Sequence, residues 1–155
     1  DEMTDIVKNL YGEKISIAGV ATGAIAIGAM IAERLNLPYA YVRPAPKGHG
    51  LKNQIEGSIQ GGSNVVVIED LISTGKSSLN AINALKSERY NVMGMLSIFS
   101  YNFEFANKKF EHENISINSL SDYNSLVEKI QSEGSLNEIE INRLKKWREE
   151  PKTWK

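Results

Sequence analysis

Cysteine is absent from this 155-residue chain, and histidine occurs only twice. The first absence rules out a disulfide framework and thiol chemistry, and with the second it leaves no zinc-ligand cluster. A reducing, cytoplasmic setting is compatible with this composition. An excess of one charge sign is also lacking, since 18 Lys+Arg stand against 19 Asp+Glu for a net charge of −1. The chain therefore has no electrostatic footprint for nucleic acid and no basic surface for anionic lipid. Any phosphate binding must rest on local groups. The uncharged run Ile15–Ala32 has the look of a membrane span, but Ser16, Gly19, Thr22, Gly23 and Gly28 interrupt it. A strand, a tight turn and a helix start explain it better than a span does. The opening Asp1-Glu2 carries no positive region and no signal-like core, and it lacks an initiator methionine, so a fragment or a processed product is expected. No internal repeat or low-complexity segment is visible. What is present is 41% hydrophobic and 24% charged residues, the balance of a soluble globular protein. The length suits a single domain, 1–155, with a real core.

Strand and helix patterns alternate along the chain. Asp1–Tyr11 reads as a helix with Ile6, Val7 and Leu10 on one face and Gly12 as its stop. Ile15–Val20 reads as a strand, Ala24–Leu35 as an alanine-rich helix able to pack closely, and Tyr39–Arg43 as a second strand. Prolines and glycines punctuate Pro44–Gly62, which is expected to be a long loop with room for a short hairpin. A loop of that length in a small domain is usually functional or disordered. Strands are expected at Asn64–Glu69, Val92–Ser100 and Ile115–Leu120, and helices at Ser77–Ser87, Phe103–Phe110, Tyr123–Glu133 and Leu136–Glu149. This order implies an α/β fold: a mostly parallel, twisted sheet flanked by helices, with ligands at the carboxyl ends of the strands.

The densest chemistry lies in Asn64–Ser78, Asn-Val-Val-Val-Ile-Glu-Asp-Leu-Ile-Ser-Thr-Gly-Lys-Ser-Ser. A β-branched run drives into two carboxylates, Glu69 and Asp70. A hydroxyl-rich turn with one glycine follows, and then a helix begins. Carboxylates can hold sugar hydroxyls, while loop amides at a helix N-terminus can hold a phosphate. A Walker A loop fits poorly, because its first glycine would fall on Asp70, an anion beside a triphosphate. A blander reading is a buried strand followed by a helix capped by Ser73 or Thr74. It leaves the acidic pair at a strand's carboxyl end unexplained.

The stretch resembles the phosphoribosyl-pyrophosphate signature of type I phosphoribosyltransferases. Two further stretches narrow the resemblance. Tyr41–Gly57, with Arg43, Lys47, His49 and Gly50, is similar to the catalytic loop of orotate phosphoribosyltransferases, and Gly19-Val20-Ala21-Thr22-Gly23 is similar to the family's pyrophosphate loop. Three motifs in the right order span most of Ile15–Tyr101. The family reaction joins a base to the anomeric carbon of phosphoribosyl pyrophosphate and expels pyrophosphate. Positive charge grows on the ribose, so negative groups are needed beside the ring and positive groups beside the leaving group.

The resemblance implies that Asp70, with Glu69 second, holds the ribose hydroxyls. It implies that Ser73, Thr74, Gly75, Lys76 and Ser77 surround the 5-phosphate, and that Ala21, Thr22, Gly23 and Arg43 lie along the pyrophosphate. Lys47 would stabilise the departing pyrophosphate and His49 could donate to it, from a loop closing over a neighbouring subunit's site in a homodimer. Magnesium is implied, held mainly by the substrate's own oxygens and water. Plainer readings stand beside these. Glu69 could anchor the helix or loop, Lys76 could be solvated, and a Lys and a His in a Gly/Pro loop are commonly solvated too. His112, between two glutamates, reads as a surface histidine.

The sequence also departs from the family. Pro44 and Ala45 stand where the loop often has a lysine, and Gly23 stands where some members place one. Leu96–Tyr101 lacks the arginine that contacts orotate in some members, and the family's preceding segment, which helps bind orotate, has no counterpart before Asp1. The expectation is an orotate phosphoribosyltransferase core. A transferase for a purine or other base, and a non-enzymatic sensor of phosphoribosyl pyrophosphate, are the rivals; Lys47-Gly48-His49-Gly50 and Arg43 weigh against both.

Overall fold

The computed structural model describes residues 1–46 and 53–151. Its centre is a sheet whose strands run as continuous apolar segments because both faces are covered. Strands β1 (Ser16–Val20), β2 (Tyr39–Val42), β3 (Ile55–Ser58), β4 (Asn64–Ile72), β5 (Asn91–Ser100) and β6 (Ile117–Asp122) line up in the order β3-β2-β1-β4-β5-β6. All neighbours are parallel except β2 and β3, which pair antiparallel from Tyr39 opposite Ser58 to Val42 opposite Ile55. The hairpin expected within Pro44–Gly62 is therefore an edge strand folded back on β2.

Alternation along β4 sorts the core onto two faces. Val65 and Val67 point to α3 (Lys76–Ser87) and α4 (Glu104–His112), meeting Ile82, Leu85 and Phe110. Val66 and Ile68 point the other way, to α1 (Glu2–Tyr11) and α2 (Ala24–Leu35), meeting Val7 and Ile31. On α1 the buried pair is Met3 and Val7, whereas Leu10 is exposed. The inward stripe is thus set one turn earlier than Ile6-Val7-Leu10 suggests. A third cluster gathers Tyr123 and Val127 of α5 (Tyr123–Ser132) and Ile141 of α6 (Glu138–Glu149), with Tyr101 and Trp147 against them. Trp147 lies 5.6 Å from Tyr101 and 5.3 Å from Tyr123, centroid to centroid.

Helix α2 begins close to β1. A Cβ on Gly28 would lie 2.9 Å from the Tyr39 ring and 3.3 Å from the Cα of Gly19. The absent side chains let the helix settle on the strand, and the Tyr39 hydroxyl donates to the carbonyl of Ile25 at 2.6 Å. The first turn of α2, which follows Ala21-Thr22-Gly23, is fixed by this contact. No helix among the described residues is long and apolar enough to cross a membrane.

Candidate active site

From the middle of the sheet the chain leaves in two directions. After β1 it passes through α2 to β2, and after β4 it passes through α3 to β5 on the opposite side. Loops leaving adjacent strands in opposite directions open a crevice at the strands' carboxyl ends, the place where open α/β sheets bind ligands. Two of the expected motifs flank that crevice: residues 21–23 after β1, and residues 69–77 on β4 and beyond.

The acidic pair is not at the last residue of its strand. Pairing with β5 continues to Leu71 opposite Phe99 and Ile72 opposite Ser100, whereas pairing with β1 stops at Ile68 opposite Gly19. Strand β4 outruns β1, so Glu69 and Asp70 lie where the β1 side of the ladder ends. Asp70 is exposed, and its Oδ1 accepts the backbone N–H of Leu71 at 2.8 Å. It also reaches across to the other loop. A Cβ placed on Gly23 would overlap Oδ2 and Cγ of Asp70 and lie 3.0 Å from Oδ1. Gly23 is needed here for close approach, and a lysine at this position, as in some members of the resembling family, would displace the carboxylate.

The turn 73–75 leads from β4 into the N-terminus of α3. The helix cap is Gly75, neither Ser73 nor Thr74. It sits in the left-handed region at φ 73° and provides no side-chain cap. A Cβ there would meet Phe110 at 2.7 Å as well as being strained. The first helical bond runs from the N–H of Leu79 to the carbonyl of Gly75 at 2.9 Å, so the amides of Lys76, Ser77 and Ser78 have no acceptor within the helix. The first turn carries no acidic residue. An anion at that end gains both amide donors and the helix dipole.

A family model for the phosphoribosyl transferase domain matches residues 2–120. Identity is 42% to the orotate phosphoribosyltransferase of Porphyromonas gingivalis over 153 residues, 99% of this chain and 73% of that one. It is 44% to the corresponding protein of Phocaeicola vulgatus, covering 99% of this chain and 72% of that one. The chain belongs to the orotate phosphoribosyltransferase family. The crystal structure of orotate phosphoribosyltransferase from Aeropyrum pernix matches with a TM-score of 0.71 at 32% identity, over 84% of this chain and 78% of that one.

Within this member of the family, the remaining site residues differ in how they are placed. Arg43 follows β2 beside the 21–23 loop, and its guanidinium lies 3.4 Å from Glu56 Oε1 on β3. Glu56 also accepts from the Tyr41 hydroxyl at 3.0 Å, so the arginine is held against the edge hairpin. The N–H of Ala21 donates to Val42 at 2.9 Å. That amide is used by the sheet, so it is not open to a ligand. Thr74, Lys76 and Ser77 are exposed around the cradle, and Ser73 is half-buried. Lys47 and His49 lie outside the described residues. His112 is exposed on the last turn of α4, as its flanking glutamates suggest.

Glu69 behaves unlike its neighbour. It is 3% exposed, and burial, reinforced by the adjacent Asp70 carboxyl, pushes its pKa up to about 7. Its Oε2 accepts from the Ser78 hydroxyl at 2.9 Å and more weakly from Ser77 at 3.4 Å, while its Oε1 accepts the N–H of Asp70 at 3.2 Å. The carboxylate thus ties β4 to the start of α3, as the anchoring alternative foresaw. Three positioning residues escaped the sequence reading. Ser78 looked like one more helix serine, Tyr39 like a strand aromatic, and Phe110 like a core residue of a distant helix. The serine pair Ser77-Ser78 soon after Gly75 is the local hint of the first, and nothing local marks the other two.

Proposed function

We propose that the protein transfers the phosphoribosyl group of phosphoribosyl pyrophosphate to orotate, giving orotidine 5′-phosphate and pyrophosphate in pyrimidine nucleotide synthesis. The observation that carries the site assignment is the meeting of Asp70 with the 21–23 loop in the crevice between β1 and β4, beside the uncapped start of α3. Asp70 takes ribose hydroxyls and sets negative charge beside a ring that becomes positive as its bond to pyrophosphate breaks, while Glu69 behind it holds β4 to α3. The amides of residues 75–78 and the hydroxyls of Ser73, Thr74 and Ser77 hold the 5-phosphate. Thr22 and Gly23 line the leaving group, with Arg43 near its far end and Lys47 and His49 adding positive charge and a proton donor.

Magnesium belongs to this reading. When bound it neutralises diphosphate charge. No group of three or more His, Asp or Glu side chains suited to a metal occurs among the described residues. An exposed Asp70 beside the leaving-group loop fits an ion carried in mainly by the substrate's own oxygens and water. A cytoplasmic homodimer, with the Tyr41–Gly57 loop and its Lys47 and His49 serving the neighbouring subunit's site, completes the proposal.

The decisive assay follows loss of orotate absorbance with phosphoribosyl pyrophosphate and magnesium, with adenine as the competing base. Orotate-dependent release of pyrophosphate is the expected result. Turnover with adenine alone would transfer the reading to a purine enzyme, and binding of phosphoribosyl pyrophosphate without turnover of any base would favour a sensor. Loop sharing is tested by mixing Lys47→Ala with Asp70→Asn protein: after verified subunit exchange, one intact site per mixed dimer should restore partial activity, and mixtures as inactive as either parent would refute it.

A further inference from the structure

We propose that Ser78 is a positioning residue that sets the affinity for phosphoribosyl pyrophosphate by clamping Glu69, and through it Asp70, to the phosphate cradle. The inference rests on the function just proposed. Ser78 is fully buried, and its hydroxyl donates to Glu69 Oε2 at 2.9 Å across nine positions of chain. Between the two lie Asp70, which faces the sugar, and the whole 73–77 turn, which faces the phosphate. The bond closes a ring around both halves of the substrate site. Its competitor is weaker, because the Ser77 hydroxyl stands 3.4 Å from the same oxygen and is exposed.

Nothing else described on neighbouring strands holds the Glu69 carboxylate. The residue opposite Glu69 on β5 is the uncharged Ser97, and the β1 ladder has already ended at Gly19 opposite Ile68. The charged group acting on it is Asp70 on its own strand. Without the Ser78 hydroxyl the buried carboxylate loses its shortest partner and the turn gains freedom that the substrate must then remove on binding. The cost falls on binding of phosphoribosyl pyrophosphate. It spares the chemical step, because the bound complex regains the same arrangement of Asp70 and cradle.

The test compares Ser78→Ala and Ser78→Cys with the wild type at saturating orotate. Both remove the strong donor, and cysteine keeps nearly the original volume should alanine fold poorly. The expected result is a KM for phosphoribosyl pyrophosphate raised roughly tenfold, the scale of one hydrogen bond to a charged group. The kcat should stay within about twofold and the KM for orotate should not move. In a Glu69→Gln background the Ser78 change should add far less than it does alone, since the two share one bond. An unchanged KM for phosphoribosyl pyrophosphate in either soluble variant, or equal losses for both substrates that follow a lowered Tm, would overturn the proposal. Calorimetric titration of phosphoribosyl pyrophosphate with magnesium onto the same proteins decides the matter even if orotate is not turned over. A wild type that binds but does not transfer would refute the proposed reaction and leave the Ser78 effect to be read from binding alone. A wild type that does not bind would overturn both.

Discussion

Replacing Gly23 with alanine should separate binding from stability. Gly23 has φ −63° and ψ −37°, an ordinary right-handed conformation just before α2. Alanine adopts it freely and restricts the unfolded chain, so the backbone effect is neutral or stabilising by up to about 1 kcal/mol. The obstacle is Asp70. The new Cβ would overlap its Oδ2 and Cγ, and even Oδ1 would be only 3.0 Å away. Asp70 is exposed, so the fold survives the clash by giving up its bond to the Leu71 N–H and moving the carboxylate out of the crevice. Substrate then loses a charge-assisted contact to its ribose hydroxyls, about 1.5–3 kcal/mol, or roughly 10- to 150-fold in affinity. The assays are thermal unfolding by circular dichroism and calorimetric titration with phosphoribosyl pyrophosphate and magnesium. Weaker binding at equal or higher Tm is the expected pair of results. Wild-type affinity would show that Asp70 does not work from the position it holds against Gly23. A large loss of Tm would show that the contact is part of the core.

Three further outcomes follow from the same geometry. Asp70→Asn should weaken phosphoribosyl-pyrophosphate binding by about 1–3 kcal/mol without unfolding the protein; calorimetry showing equal affinity would remove Asp70 from the site. Glu69 keeps its proton up to about pH 7 when folded but releases it near 4.5 when unfolded, so the folded form holds the extra proton between those values. Stability should therefore fall as pH rises through that window, by about 3 kcal/mol at most, and Glu69→Gln should flatten the slope in urea titrations at pH 5 and pH 8. Gly75→Ala should cost about 1–3 kcal/mol, from the left-handed backbone and the Phe110 contact at 2.7 Å; equilibrium unfolding at wild-type midpoint would contradict it.

The sequence made the layered fold legible wherever local chemistry and burial agree. Val65–Ile68 is β-branched and buried on both faces, and α2 runs from Ala24 to Leu35 as its pattern indicates. It failed where an element's extent depends on a partner. The strand through Glu69 looks finished at two adjacent charges, yet β5 offers ladder partners as far as Ser100 and draws β4 on to Ile72. Likewise Ile55–Ser58 carries two exposed positions and one glycine, and it becomes a strand because β2 presents an edge. The cap of α3 falls on Gly75 and not on Ser73 or Thr74, the caps of the blander reading, and at that position Phe110, 35 positions along, leaves no room for a side chain.

The two carboxylates show most clearly why motif and geometry must be read together. Side by side in sequence, Glu69 and Asp70 have the same chemistry, and only the family resemblance ranks Asp70 first for the sugar. A strand points consecutive side chains to opposite faces. One carboxylate is therefore buried against α3 and bonded to Ser78, and the other stands exposed against Gly23. The first fixes the wall of the crevice and the second opens toward solvent. A β-strand that outruns its neighbour by a few residues is sufficient to divide one acidic motif into a buried support and an exposed carboxylate, and the Ser78 and Gly23 variants test the proposed roles of the two separately.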